Sequence, residues 1–161
     1  LWLEKGKVVP APTQCSWNQP VLVVPKKDST GQKTKVRVCL DPRPLNKILP
    51  DDRYPLPVIS EIFDRLSGKQ FFSTIDLEES YLQLPLHVNH RIKTAFSWNQ
   101  RQLMFAGAPF GLKPLASVLQ RVINTVLAPF PDANAFQDDI TIATSSSDPR
   151  DHLRIVLQFR S

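Results

Sequence analysis

Three aspartates are the residues whose type and spacing best fit chemistry. Asp138 and Asp139 are adjacent within Ala133-Asn134-Ala135-Phe136-Gln137-Asp138-Asp139-Ile140-Thr141-Ile142-Ala143-Thr144. Asp76 ends the run Phe71-Phe72-Ser73-Thr74-Ile75-Asp76. Neighbouring carboxylates repel, and they stay ionised side by side when water, a cation or a base lies between them. Three carboxylates near strand ends can hold two divalent cations through oxygen. Magnesium takes few carboxylates and completes its shell with water and substrate phosphates. Two such ions roughly 3.5–4 Å apart stabilise both the attacking and the leaving oxygen of an in-line phosphoryl displacement. Adjacent side chains of a regular strand point to opposite faces, so Asp138 and Asp139 converge only at a turn. Asp138 is expected to be the stronger ligand and Asp139 the weaker. Alone, the pair reads as a solvated Asp-Asp turn; Asp76 shifts the balance towards a site.

The elements that must position these residues read as mixed α+β with antiparallel hairpins, not as alternating βα units. Residues 1–19 form an irregular N-terminal arm. Pro20-Val21-Leu22-Val23-Val24-Pro25 is a short buried strand, 26–35 a hairpin loop, and Val36-Arg37-Val38-Cys39-Leu40 the returning strand. The proline-rich stretch 41–57 is an extended connection. Val58, Ile59, Ile62, Phe63 and Leu66 recur at helical spacing, and Gly68 can end that helix. In the strand that follows, Phe71, Ser73 and Ile75 face one way, and Phe72, Thr74 and Asp76 the other. A turn of helix over 77–81 and a strand over 82–86 come next. Residues 93–98 and 101–106 make a hairpin across Asn99-Gln100, and Gly107, Pro109 and Gly111 make a loop. Val118, Leu119, Val122, Ile123, Val126 and Leu127 form the core stripe of a long helix closed by Pro129 and Pro131. After the aspartate hairpin, a polar linker leads to a helix starting at Pro149.

The chain of 161 residues is long enough for one domain with a real core. No apolar run approaches the roughly 20 residues of a membrane span, and no signal peptide is visible at Leu1-Trp2-Leu3-Glu4-Lys5. Cys15 and Cys39 form neither a metal-ligand spacing nor a disulfide framework, which suits a reducing, intracellular setting. Residues 1–53 hold ten Lys/Arg against five Asp/Glu, and residues 54–161 hold ten of each, so the net +5 sits in the first third. Such a basic segment suits a polyanion, either nucleic acid or a triphosphate, or is merely a soluble surface. His87, His90 and His152 have no partners at ligand spacing, and Trp17 and Trp98 read as packing residues.

Six stretches, in order, resemble the motifs of reverse transcriptases, in the style of gypsy-type long-terminal-repeat retrotransposon pol polyproteins. They are residues 20–27; Arg37-Val38-Cys39-Leu40-Asp41-Pro42-Arg43-Pro44-Leu45-Asn46-Lys47; Tyr54-Pro55-Leu56-Pro57; Asp76 in Phe72-Ser73-Thr74-Ile75-Asp76-Leu77; Ala108-Pro109-Phe110-Gly111-Leu112; and Phe136-Gln137-Asp138-Asp139. The resemblance implies fingers and palm of a right-hand polymerase over residues 20–155, an antiparallel palm sheet backed by helices, residues 156–161 being a truncated end and the thumb missing. It implies RNA- and DNA-templated DNA synthesis from deoxynucleoside triphosphates on a template-primer, with two magnesium or manganese ions. It further implies no membrane partner and an intracellular, cytoplasmic setting that extends to virus-like particles.

Carried onto this sequence, the resemblance makes Asp76, Asp138 and Asp139 the catalytic metal ligands. Lys26 or Lys27, and Arg37, contact the incoming triphosphate, arginine with a bidentate fork. Leu77, Tyr81, Phe110 and Gly111 line the nucleotide pocket, with Tyr81 beneath the sugar, where a ribose 2′-hydroxyl would clash. Gln120 sits near the template-primer; a solvated helix glutamine is its plain alternative.

The chain also departs from the family pattern. Gln137 fills a slot usually small and apolar, Leu77-Glu78-Glu79-Ser80 replaces a more basic or glycine-containing turn, and Pro114 is shifted from its common place. With no thumb to hold template-primer, weak polymerisation or none is expected of this stretch alone. Two rivals are an RNA-dependent RNA polymerase, which Tyr81 and the Pro-Phe-Gly loop oppose, and a decayed or domesticated relic that only binds nucleic acid.

Overall fold

The structure, a computed structural model, describes residues 2–27 and 31–160; the side chains of Lys26, Lys27, residues 33–37 and Arg160 lie outside the described set. The chain divides into two compact units, each built from two separated stretches. One comprises Leu1–Asp51 with Tyr81–Leu115, the other Asp52–Ser80 with Ala116–Ser161.

In the first unit, the arm is not wholly irregular. Val8–Pro10 (β1) pairs antiparallel with Arg101–Phe105 (β6), which also pairs with Phe96–Trp98 (β5), giving the order β1-β6-β5. Alternation along β6 buries Leu103 and Phe105, and these close a core with Val8, Leu40, Leu82 and Phe96. Asn99 and Gln100 both have positive φ, the signature of a two-residue type I′ hairpin turn. At its tip Trp98 is half-exposed, which corrects its reading as a packing residue.

A separate two-stranded sheet joins Val21–Lys27 (β2) to Lys33–Leu40 (β3), with Val24 opposite Arg37. The strand expected over 20–25 exists but is not buried: Leu22, Val23 and Val24 are each about half-exposed, because two strands alone offer no second layer. The expected extended stretch 41–57 contains one turn of helix, Arg43–Asn46 (α1), since proline is tolerated in a first turn. Arg43 grips Asp41 with 2.8 and 2.9 Å bonds from Nε, and this hydrogen-bonded guanidinium holds the Asp41 carboxyl below the usual carboxylate range.

No strand forms over 82–86. Ser80–Gln83 is a 3₁₀ turn, and Pro85, with no N–H, supports a single bridge to Gly107. That bridge is tight: a Cβ on Gly107 would overlap the Leu82 carbonyl oxygen. Val88–Arg91 (α3) and a further 3₁₀ turn lead into β5.

In the second unit, Ile59–Leu66 (α2) is followed by Phe71–Asp76 (β4), then Leu115–Leu127 (α4), Ala133–Phe136 (β7), Asp139–Thr144 (β8) and Pro149–Arg160 (α5). The α2 stripe is largely exposed, with Phe63 at 67%. The core stripe expected on α4 holds only in part: Leu119, Ile123 and Leu127 are buried, whereas Val122 and Val126 face solvent and buried Leu115 and Gln120 complete the inner face. Strands β4, β8 and β7 form one antiparallel sheet in that order.

Candidate active site

Strand register assigns each face of this sheet. Phe72 lies opposite Ala143, Thr74 opposite Thr141, and Asp76 opposite Asp139; on β7, Phe136 is also opposite Asp139. Residues directly opposite across a ladder share a face, so Asp76 and Asp139 project side by side. Phe72, Thr74, Asp76 and Asp139 are all exposed, which makes this the open face. The other face presents Ile75, Ile140 and Ile142, the last two buried. Helix α5 covers that side. His152 bridges it to the sheet, Nε2 at 2.9 Å from Ser73 Oγ and Nδ1 at 3.0 Å from Thr144 Oγ1. The hydroxyls can donate or accept, so both imidazole nitrogens are matched in either tautomer. His152 is thus a buried brace on the closed face, towards the end of the ladder away from the aspartates.

The third carboxylate enters through the turn. Phe136 pairs with Asp139 across Gln137-Asp138, and of these two only Gln137 has positive φ, +55°. That is the type II′ pattern, which glycine normally supplies. A non-glycine residue there costs about 1–2 kcal/mol, so the surroundings must hold it. Two contacts do so. The Leu77 N–H donates to the Asp138 carbonyl at 3.2 Å, tying the end of β4 to the turn. The Gln137 N–H donates to Gln120 Oε1 at 2.9 Å.

Gln120 is 0% exposed, which removes the reading of a solvated helix glutamine. Its Nε2 donates to the Ala135 carbonyl (3.2 Å) and to Asn124 Oδ1 (2.9 Å). Both ends of one buried carboxamide therefore grip the backbone of the aspartate hairpin. The network continues outward: Asn124 Nδ2 donates to the Tyr54 hydroxyl at 2.9 Å, and Arg121 lies 4.9 Å from the Tyr54 ring centre while bonding Asp52 at 2.7 and 2.9 Å. Sequence reasoning missed this network. Its only trace is a glutamine and an asparagine four apart on an apolar helix.

The carboxylates suit a hard divalent cation by donor type and by their place on an open face. Among the described residues, no three of His, Cys, Asp or Glu are drawn together into a metal cage. The cross-strand pair of Asp76 and Asp139 is the sparse carboxylate set that magnesium accepts when water and phosphate supply the rest.

The expected nucleotide-pocket residues fall in the two units. Leu77 is in the second, bonded to Asp138 as described. Tyr81, Phe110 and Gly111 are in the first, where the Tyr81 and Phe110 rings meet edge to face with centroids 5.2 Å apart. Lys26, Lys27 and Arg37 lie on β2 and β3, and their side chains are outside the described residues.

The comparisons with known proteins follow this geometry. Residues 24–161 match the family described as reverse transcriptase (RNA-dependent DNA polymerase). The chain is 37% identical over 132 residues to a retrovirus-related Pol polyprotein from transposon 297 of Drosophila melanogaster, covering 81% of this chain and 12% of that one. It is 40% identical over 118 residues to the Pol polyprotein from transposon gypsy of the same organism, covering 72% of this chain and 11% of that one. It therefore spans about a tenth of the length of these curated relatives. Among solved structures, the foamy viral protease-reverse transcriptase in complex with RNA/DNA hybrid superposes with a TM-score of 0.83 at 25% identity, over 99% of this chain and 20% of that one. Its fold and its sequence together place this chain in the reverse transcriptase (RNA-dependent DNA polymerase) family.

Proposed function

We propose that this chain carries the nucleotidyl-transfer centre of an RNA-directed DNA polymerase, using RNA or DNA template-primer and deoxynucleoside triphosphates. The observation that carries the reading is the direct pairing of Asp76 with Asp139 on the open sheet face, with Asp138 in the adjoining turn. Asp76, Asp138 and Asp139 would hold two magnesium or manganese ions. Bound there, the ions would supply charge stabilisation to the attacking and leaving oxygens. In the reaction the primer 3′-hydroxyl gives its proton to water, its oxygen forms a bond to the α-phosphorus, the bond from that phosphorus to the oxygen bridging to the β-phosphorus breaks, and pyrophosphate leaves with the electron pair.

The remaining roles belong to this chain's own side chains. Lys26 or Lys27, and Arg37, neutralise the triphosphate. Tyr81 excludes a 2′-hydroxyl, Phe110 packs on Tyr81, and Gly111 admits close backbone approach. Leu77 and Gln120 act through the hairpin, Leu77 by its N–H to Asp138 and Gln120 by its clamp on residues 135 and 137; Gln120, with its side chain fully buried, would lie near the template-primer without touching it.

Primer extension on poly(rA)/oligo(dT) with Mg²⁺ or Mn²⁺ tests the reading. Asp138→Asn should lower extension by about a thousandfold, since a metal supplies several kcal/mol of transition-state stabilisation. The same variant should leave template binding within about twofold, because that affinity comes from cationic contacts. Extension that survives Asp138→Asn sinks the metal assignment. A second reading, nucleic-acid binding without chemistry, draws on the basic stretch before residue 54; template binding by a parent chain that holds neither Mg²⁺ nor Mn²⁺ would favour it.

A further inference from the structure

Asn46, the last residue of α1, makes a two-point clamp on the loop after Phe110. Its Nδ2 donates to the Gly111 carbonyl at 2.8 Å, and its Oδ1 accepts from the Lys113 N–H at 2.8 Å. The two backbone groups fix the carboxamide's orientation, because a flipped amide would set donor against donor and acceptor against acceptor. Further contacts seat the same loop on α1 and the residues beside it. Gly111 has φ +92°, and a Cβ on it would come 3.1 Å from Pro42 Cγ. Lys113 Nζ meets the Asp51 carboxylate at 2.6 Å. One residue before the clamp, Phe110 presents its ring edge-on to Tyr81 at an interplanar angle of 89°. Pro109, next to it, is fully buried and leaves the backbone there no slack.

We propose that Asn46 is a specificity-positioning residue: by fixing the backbone at Gly111 and Lys113 it holds Phe110 against Tyr81 and so sets the discrimination between deoxyribo- and ribonucleoside triphosphates. The inference rests on the reading of Tyr81 as the group that excludes a 2′-hydroxyl. A sugar differing by one hydroxyl is rejected only if the ring stands where that oxygen would go, and a displacement near 1 Å is enough to lose such selectivity. Asn46 touches neither the sugar nor the phosphates in this argument; it acts through the loop.

The test uses the full chain and its Asn46→Ala, Asn46→Asp and Tyr81→Val variants. Each is bound to poly(rA)/oligo(dT) with Mg²⁺ and titrated with dTTP and with UTP, while exchange of the Lys113 amide is followed by NMR. Asn46→Ala should lower the dTTP-over-UTP preference by about tenfold, the equivalent of two neutral hydrogen bonds, and expose the Lys113 amide to exchange. Asn46→Asp still accepts from Lys113 but repels the Gly111 carbonyl, so its preference should fall between. Tyr81→Val should lose the preference with Lys113 still protected.

Asn46→Ala with the Lys113 amide exposed but the preference intact overturns the inference, as does an unchanged Lys113 exchange rate. If Asn46→Ala melts out by circular dichroism, Asn46→Asp decides: full parental preference overturns the proposal. Preference retained by Tyr81→Val, or absent from the parent chain, overturns the sugar-exclusion reading itself and the inference with it.

Discussion

The unit formed by residues 1–51 and 81–115 carries thirteen Lys/Arg against four Asp/Glu, whereas the unit formed by 52–80 and 116–161 carries seven against eleven. Their formal charges are therefore +9 and −4, with histidines neutral. The first suits phosphate-rich partners at long range; the second gathers carboxylates on an open sheet face and repels phosphate until cations intervene. Each unit also keeps its own packing device, the Pro85–Gly107 bridge in one and the Gln120 clamp in the other. On the proposed function, attraction of a polyanion and the handling of its reacting phosphate would fall to different units, and each could be broken alone.

The largest expected effect is on the acidic unit. Gln120→Ala takes from the Gln137 N–H and the Ala135 carbonyl the partner each has in Gln120, at about 1–3 kcal/mol each, and opens a cavity besides. A loss near 4 kcal/mol in chemical denaturation is expected, with the salt dependence of nucleic-acid binding unaltered in the fraction that stays folded. Gly107→Ala strikes the basic unit instead, forcing the Leu82 backbone aside for about 1–3 kcal/mol. Here nucleic-acid affinity should fall with stability, and an unshifted melting curve would show that the bridge yields easily.

The smallest effect sharpens the comparison without unfolding anything. Replacing Lys47, an exposed cation of the basic unit with no triphosphate role, with alanine should weaken binding to all template sequences alike and reduce the slope of log K against log salt by about 1 for each lost phosphate contact. Asp76→Asn should leave that slope unchanged; a slope that moved with Asp76 would mean the two electrostatic roles are not separate.

Much of the site was legible in sequence because it is local. The alternation of β4, the Asn99-Gln100 turn and the hairpin around Asp138-Asp139 each follow from a few adjacent residues. What escaped depends on partners far along the chain. The pairing of β1 with β6 joins residues almost a hundred apart, and nothing in Val8-Val9-Pro10 announces it. Val122 and Val126 fit a helical stripe as well as Leu119 does, yet only the placement of neighbouring elements decides which side is covered. The charge division was hidden for another reason. Cutting the sequence at residue 53 gives +5 and zero, because each unit is discontinuous; the stretch 80–131 in fact contains no acid at all. The side-chain clamps of Asn46 and Gln120 left the faintest trace, since they recognise backbone and a backbone contact imposes no pattern on the residue it grips.

That last property bears on how the aspartate box can change over time. Gln120 touches only main-chain atoms of the hairpin, at residues 135 and 137. The seat makes no hydrogen bond to the side chain at 137, although the positive φ there favours glycine and proline, having no N–H, would be refused. Substitutions drifting through the box can therefore alter what stands beside the carboxylates while the mould that shapes them stays fixed on another element. The glutamine at 137 reads in this light as one of many permitted tenants, and the constraint lies seventeen residues upstream.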